Sequence, residues 1–274
     1  MPIFRYNDID INYIKKGQGK PLILVSGSFT KLQSWNYQIE FFKDKMTVIA
    51  FDKRGEGKSS RPDYHYTMEM FIEDLKNLCD YLNIKGGIHL CGSSMGAIIA
   101  QKFVLKYPDM IKSLILCAPF SYYPSKTIDQ NYITYQALQD LDQDQRVEYW
   151  FPLVYSRSFK KKINEDKELF EIISKDMNFC AQLVDPSFYK DWINQIEALR
   201  NFDIRDKIHK ISQPTLILSG SKDKMTIPGM REEMHKRIPN SKFIILDGLG
   251  HAFTIEDPDN VNAAIWNFIQ NNIH

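Results

Sequence analysis

The alternation of short apolar runs with helical periodicity limits the possible folds of this chain more than any other feature. The apolar runs are flanked by turn residues and are too short for buried helices, so they predict strands. Strands that alternate with helices are typical of a mostly parallel sheet with helices on both faces, which is an α/β fold. The predicted segments are an opening hairpin at 2–6 and 9–15, further strands at 22–25, 46–51, 88–91, 113–117, 214–218 and 243–246, and helices at 67–83, from residue 95 through Val104, and 258–269.

The alternation stops between residues 120 and 205. This stretch has no continuous buried strand, is rich in Tyr, Trp and Phe, and shows helical spacing. The pattern predicts one inserted helical segment at 120–205, within an α/β core formed by 1–119 and 206–274.

Charge and composition exclude several classes of function. The chain has 35 Lys and Arg residues against 34 Asp and Glu residues, a net charge of +1, which disfavours nucleic acid as a partner. No apolar stretch approaches the roughly 18 residues that span a bilayer, and no export signal is present, so a cytoplasmic protein without membrane attachment is expected. Cys79, Cys91, Cys117 and Cys180 show no paired spacing and are interpreted as buried thiols. The histidines lack metal-ligand spacing, so we expect neither a metal nor a cofactor.

A G-x-S-x-G motif follows the predicted strand 88–91. Gly92, Ser94 and Gly96 lie between this strand and the next helix, where small residues let strand and helix approach each other closely. Ser94 would then be exposed at the apex of a strained turn. The backbone N–H of Met95 would point toward a developing oxyanion. The alternative is a Gly- and Ser-rich turn without chemistry.

Two residues later in the chain can activate this serine. Asp223 follows the predicted strand 214–218, and His251 follows the predicted strand 243–246. The carboxyl ends of parallel strands meet at one edge of a sheet, so the three side chains are expected in one crevice. A serine needs a neighbouring base, and that base needs a carboxylate to orient it. The alternatives are a helix-capping role for Asp223 and a satisfied loop histidine at residue 251.

These motifs resemble the α/β-hydrolase superfamily, in the group of small esterases, lactonases and carbon–carbon bond hydrolases. The resemblance rests on Asp52–Ser59, on the Gly92–Gly96 elbow, and on Gly250-His251 with the Glu256 and Pro258 that follow. It implies an eight-stranded sheet, a nucleophile at Ser94, an acid at Asp223 and a base at His251. It also implies that residues 120–205 form a helical cap and that Asp52–Ser59 is structural. Serine in the elbow disfavours dehalogenases and epoxide hydrolases, which use aspartate there.

The resemblance implies an oxyanion hole formed by two backbone N–H groups. One belongs to Met95 and the other to Ser28, with Phe29 as the next choice. Relatives usually have histidine where this chain has Ser26. Two interpretations stay open: the Ser26 hydroxyl replaces the histidine ring, or the hole is less well formed than in relatives.

The resulting hypothesis is a serine hydrolase that cleaves an ester or lactone of a small apolar or aromatic molecule. Arg146 or Arg157 in the crevice would favour a carbon–carbon bond hydrolase or lyase instead. A weakly active ligand-binding protein on the same scaffold is the other alternative. We expect a small-molecule substrate as partner, and a monomer or homodimer. The candidate substrate-binding residues are Phe29, Phe120, Tyr122 and Trp150.

Overall fold

The computed structural model describes residues 1–173, 186–227 and 229–272. Its centre is an eight-stranded sheet with strand order β1-β2-β4-β3-β5-β6-β7-β8. The pairings β1–β2 and β2–β4 are antiparallel, and the pairings β4–β3, β3–β5, β5–β6, β6–β7 and β7–β8 are parallel. The predicted α/β fold and its mostly parallel sheet are therefore confirmed. The strands are β1 (Ile3–Tyr6), β2 (Ile9–Lys16), β3 (Pro21–Val25), β4 (Thr47–Phe51), β5 (Ile88–Ser93), β6 (Ile111–Cys117), β7 (Thr215–Gly220) and β8 (Ser241–Leu246).

Helices cover both faces of the sheet and also fill the insertion between β6 and β7. The predicted helices at 67–83, 95–104 and 258–269 are present, with ends shifted by one or two residues. The described helices, numbered in chain order, are α1 (Asn36–Phe42), α2 (Met68–Tyr81), α3 (Met95–Lys106), α4 (Ser125–Gln139), α5 (Gln143–Val154), α6 (Arg157–Glu165), α7 (Pro186–Glu197), α8 (Met230–Arg237), α9 (Phe253–Glu256) and α10 (Pro258–Gln270).

Successive side chains of each central strand enter two different cores, because side chains alternate across a sheet. On β3, Ile23 and Val25 join the core that also contains residues of α2, α3 and α8. Leu22 and Leu24 join the opposite core, with residues of α1 and α10. Burial on both faces explains why these strands read as continuous apolar runs in the sequence.

The two ends of the helical insertion are hydrogen-bonded to each other. Ile204 N–H donates to the carbonyl of Ser121 (2.9 Å), and Tyr123 N–H donates to that of Phe202 (2.8 Å). Tyr122 and Asp203 pair as an isolated antiparallel bridge. The chain thus leaves the sheet after β6 and returns next to its point of departure.

Three of the four cysteines lie in the described part of the chain, and all three are buried free thiols. They are Cys79 on α2, Cys91 on β5 and Cys117 on β6, as predicted. Cys180 lies outside the described residues. Across the described residues, no helix is both long and apolar enough to cross a membrane.

A buried histidine lies on β5, the strand that leads into the Gly92–Gly96 turn. His89 on β5 pairs its Nδ1 with Ser113 Oγ on β6 at 2.8 Å. Its Nε2 has no partner among the described residues. Burial, with smaller contributions from Lys20 and Lys112, lowers the pKa of His89 to about 4. The folded chain therefore disfavours the protonated ring.

This burial predicts a loss of stability in mild acid. The pKa is depressed in the folded state, so the stability is fully present above the unfolded-state pKa near 6.5 and is lost as pH falls toward about 4. At about pH 5 the wild type should lose roughly 2 kcal/mol of unfolding free energy through this group, relative to about pH 7.5. Urea unfolding of wild type and His89→Gln at both pH values measures the difference. Parallel pH dependence in the two proteins would contradict the prediction.

Candidate active site

Ser94 lies at the apex of the turn between β5 and α3. Its backbone has φ 52° and ψ −118°, a strained conformation for a residue other than glycine. The two glycines of the motif allow the close approach of neighbouring segments. A Cβ on Gly92 would lie 2.2 Å from the Gly96 carbonyl oxygen, and one on Gly96 would lie 2.0 Å from that of Val25 on β3. Only glycine fits at these two positions.

The start of α3 is fixed to the neighbouring strand. Ser94 N–H donates to the Cys117 carbonyl on β6 at 2.9 Å, and the Ser94 carbonyl accepts from Ala97 at 2.9 Å. The N–H groups of Met95 and Gly96 precede this bond and have no helical carbonyl one turn earlier to accept them, and the helix dipole makes this end positive. Met95, the first residue of α3, therefore has its N–H where an anion would be stabilised.

Asp223 lies in the loop after β7, with its carboxylate fully buried. One oxygen accepts from the N–H groups of Met225 (2.8 Å) and Thr226 (3.3 Å). The other accepts from His251 Nδ1 (3.1 Å) and Arg231 Nη1 (3.0 Å). Burial alone would raise the pKa of Asp223, but His251, the hydrogen bonds and Arg231 outweigh it and hold the pKa well below its usual range. The carboxylate is therefore charged at neutral pH.

His251 follows β8 and faces Asp223 through Nδ1. The contact fixes the ring so that Nε2 is the nitrogen left for proton transfer. Among the described residues, Ser94 Oγ forms no hydrogen bond, so the link from Ser94 to His251 is not closed in this structure. Catalytic hydrogen bonds often tighten only when substrate binds.

Arg231 on α8 is a charged neighbour of this pair that the sequence analysis missed. Its guanidinium is largely buried and also donates to Thr226 Oγ1. It shares one carboxylate oxygen with His251. The eight-residue spacing from Asp223 gives no recognisable signal, because the contact depends on how the loop turns back onto α8.

The predicted oxyanion residues lie next to each other. Ser28, in the loop after β3, donates from Oγ to Met95 Sδ at 3.2 Å. Ser26 donates from Oγ to the Thr30 carbonyl at 2.9 Å and accepts from Lys53 Nζ at 3.1 Å. The Ser26 hydroxyl thus links Thr30 of the same loop to Lys53, which agrees with the interpretation that it replaces a histidine ring.

The segment Asp52–Ser59 is used mainly to hold loops together. Asp52 accepts from the N–H groups of Leu32 (2.8 Å) and Lys58 (3.0 Å) and from the Asn12 amide (2.7 Å). Arg54 forms a buried ion pair with Asp74 on α2 at 2.6 Å. These contacts agree with the structural role expected from the resemblance.

Aromatic side chains of the insertion pack onto the loop 26–31 after β3, called the oxyanion loop below because it contains the predicted donor Ser28. Phe29 has a left-handed backbone (φ 59°), and its ring meets Trp192 of α7 edge-on, with ring centroids 4.5 Å apart. Trp150 lies 5.9 Å from Trp192 by the same measure. The other two predicted substrate residues have different contacts. Phe120 is buried against Tyr123, and the Tyr122 ring lies under the guanidinium of Arg205.

The two arginines that would favour carbon–carbon cleavage do not point to a substrate carboxylate. Arg146 is buried and donates from Nε to the Leu138 carbonyl and from Nη2 to the Gln139 carbonyl, both at 2.8 Å. It thus caps the C-terminus of α4. Arg157 is exposed at the start of α6.

Glu256 joins the histidine loop to the insertion. Its buried carboxylate accepts from the N–H groups of Gly250 and Ser156, both at 3.0 Å, and from Ser156 Oγ. Next to it, Ala252 N–H donates to the Val154 carbonyl at 3.0 Å. Burial raises the pKa of Glu256, partly offset by these hydrogen bonds. The backbone on either side of His251 is therefore held by residues at the junction of α5 and α6.

An eight-stranded sheet of this order, with a serine at a strand–helix elbow, defines the α/β-hydrolase class of proteins. The sequence model of the α/β-hydrolase fold family matches residues 20–258. This chain therefore belongs to the α/β-hydrolase family.

The chain is similar to several characterised or solved members of that family. It is 28% identical over 273 residues to 3-oxoadipate enol-lactonase 2 of Acinetobacter baylyi, covering 97% of both chains. It is 29% identical to a thermophilic esterase from Thermogutta terrifontis, with a TM-score of 0.85 and 97% and 95% of the two chains covered. An α/β-hydrolase enzyme from a Medee basin deep-sea metagenome library has a TM-score of 0.87 at 24% identity, with 98% and 97% covered, and supports the fold alone.

The Glu256 contacts predict a stability effect. Glu256→Ala leaves two buried N–H groups and a hydroxyl without their charged acceptor, which should cost about 2–4 kcal/mol of unfolding free energy. Urea unfolding measures the loss. Glu233→Ala, which removes an exposed ion pair with Arg237, is the control and should cost less than about 1 kcal/mol. Equal losses in the two variants would refute the assigned role of Glu256.

Proposed function

We propose that this protein is a serine hydrolase of carboxylic esters or lactones of small apolar or aromatic molecules. Ser94 is the nucleophile, His251 the general base and Asp223 the residue that orients His251. The observation that carries the proposal is the contact of His251 Nδ1 with the buried, charged Asp223, at the same sheet edge as Ser94 in its strained elbow. The similar enol-lactonase and esterase support the same substrate classes.

The proposed reaction has two stages. Ser94 Oγ attacks the substrate carbonyl carbon while His251 Nε2 takes the hydroxyl proton, and the carbonyl oxygen becomes an oxyanion. The N–H groups of Met95 and Ser28 stabilise this oxyanion. When the tetrahedral species collapses, the carbon–oxygen bond breaks and His251 returns the proton to the leaving alcohol. Water, deprotonated by His251, then cleaves the acyl-enzyme to the acid and restores Ser94.

The side chains around the oxyanion loop are aromatic, which favours an apolar substrate. Phe29 follows Ser28 in the chain, its ring contacts that of Trp192, and Trp192 in turn contacts Trp150. Aromatic rings contribute a large apolar contact area, which favours binding of an apolar acyl or alcohol group over a strongly charged one.

The carbon–carbon hydrolase and ligand-binding hypotheses use the same scaffold but draw less support. Arg146 donates to carbonyl groups at the end of α4, and Arg157 is exposed. Neither therefore supplies the carboxylate-binding group that carbon–carbon cleavage would need. A purely ligand-binding role does not require the charged Asp223–His251 pair. Cytoplasmic location and a monomeric or dimeric state stay predictions.

Ser94→Ala should abolish ester hydrolysis. The purified wild type is expected to hydrolyse p-nitrophenyl esters from acetate to octanoate, and Ser94→Ala should lower kcat by about 10³-fold or more. A fluorophosphonate should label the wild type on Ser94, as identified by mass spectrometry of the peptides. Ser221→Ala, which removes an exposed hydroxyl bonded to Asp247, is the control and should keep wild-type activity.

Different failures of this experiment favour different alternatives. Labelling at Ser94 without turnover of any ester would favour carbon–carbon cleavage. Folded wild-type protein with neither turnover nor labelling would favour the ligand-binding hypothesis. Labelling at another serine would refute the assignment of the nucleophile.

Arg231→Met should lower the rate of hydrolysis. Arg231 holds the same carboxylate oxygen of Asp223 that accepts from His251, so its removal should loosen the orientation of His251. We expect kcat/KM for p-nitrophenyl esters to fall by about three- to tenfold. The measurement is kcat/KM of wild type and variant at one pH, below their unfolding temperatures.

The control for this comparison is Arg237→Met on the same helix. Arg237 forms an exposed ion pair with Glu233, and its loss should leave kcat/KM unchanged. Equal kcat/KM in wild type and Arg231→Met would show that Arg231 does not help to hold the Asp223–His251 pair.

A further inference from the structure

Lys53 is a fully buried lysine whose amine reaches the oxyanion loop. It follows β4, and its Nζ donates to the Gly27 carbonyl at 2.7 Å and to Ser26 Oγ at 3.1 Å. Desolvation makes a buried lysine costly unless its amine has strong partners. Most contacts of Asp52–Ser59 hold that segment and its neighbouring loops in place. The contact of Lys53 is different, because its partner Gly27 lies beside Ser94.

The Gly27 carbonyl belongs to the peptide that carries the N–H of Ser28. The peptide unit is planar and trans, so its C=O and N–H point in opposite directions. Thr30 Oγ1 also donates to the Gly27 carbonyl, at 2.9 Å. Two donors on one carbonyl therefore fix the plane of the peptide and, with it, the direction of the Ser28 N–H.

Gly27 also lies against the nucleophile turn. A Cβ at Gly27 would lie 3.3 Å from Ser94 Cβ and 3.4 Å from the Ser93 carbonyl oxygen. Thr30 Oγ1, one of the two donors to the Gly27 carbonyl, would lie 3.7 Å from the same Cβ. A reversed peptide would present a carbonyl oxygen to the developing oxyanion instead of an N–H donor.

From these contacts we propose that Lys53 is a positioning residue, which orients the Gly27–Ser28 peptide so that the Ser28 N–H completes the oxyanion hole. The inference rests on the proposed function. Together with the Ser26 hydroxyl, the Lys53 amine replaces the histidine found at position 26 in relatives. Lys53 acts through the peptide and does not itself touch the reacting atoms.

The role of Lys53 does not depend on its charge state. Burial lowers the pKa of Lys53, while the nearby carboxylates of Glu56 and Asp52 oppose that shift. An ammonium group has three N–H donors and a neutral amine has two. Either form can serve both the Gly27 carbonyl and Ser26 Oγ.

The test separates stabilisation of the oxyanion from binding of the substrate. Lys53→Met keeps a long unbranched side chain and removes the donor. It should lower kcat for p-nitrophenyl esters by about 30- to 100-fold and leave KM within about threefold. Affinity for an aryl trifluoromethyl ketone, which adds Ser94 Oγ to form a tetrahedral oxyanion, should fall by a similar factor. A lysine with only a packing role would not weaken this inhibitor selectively.

A second variant keeps the test decisive if Lys53→Met does not fold. Thr30→Val removes the other donor to the Gly27 carbonyl and should lower kcat and inhibitor affinity together by about three- to tenfold. Lys102→Met, which removes an exposed partner of Glu69 on α2, is the control and should keep both values.

The outcomes distinguish the positioning role from the proposed function itself. If the wild type hydrolyses esters and Lys53→Met does so at the same rate, the role of Lys53 is overturned and the hydrolase proposal stands. If only Thr30→Val folds, unchanged turnover and inhibitor affinity would overturn that role in the same way. Wild-type protein without turnover or inhibitor binding would overturn the proposed function, and the role of Lys53 with it.

Discussion

The close approach of the β5–α3 turn to β3 is the constraint on which the site depends. The Gly96 Cα lies so near the Val25 carbonyl that a single methyl group would not fit. This contact places the start of α3, with the N–H groups of Met95 and Gly96 and the positive end of the helix dipole, beside the loop that leaves β3. Ser94 lies half-buried at the apex, and the loop after β3 lies next to it. A larger residue at position 96 would separate the two halves of the site.

The remaining groups come from loops at the same edge of the sheet, because the central strands are parallel. Asp223 and His251 follow β7 and β8 and meet through one carboxylate oxygen. The insertion then acts on two of these loops: α7 packs Trp192 against Phe29, and the start of α6 binds Glu256 beside the histidine loop. Core and insertion therefore both hold the loops that carry Phe29 and His251.

Much of the fold could be predicted from the sequence. Continuous apolar runs marked the central strands, because those strands are buried on both faces. The sharp Gly92–Gly96 turn was predictable because its glycines are required by local backbone geometry. The placement of Asp223 and His251 after later strands was predictable for a topological reason, since parallel strands send their carboxyl-end loops to one edge. The chemical roles of the three side chains remain proposals.

The sequence by itself determined the α/β class, the position of the elbow and the order of Ser94, Asp223 and His251. Each of these depends on local turn chemistry, on periodicity or on strand order. Only the tertiary structure decided that Lys53 reaches Gly27 and that Arg231 shares the Asp223 carboxylate. Both contacts join segments whose relative placement comes from packing of the whole core. Side-chain partners of that kind have no periodic signal, because a lysine or arginine looks the same in sequence whether it faces solvent or a buried carbonyl.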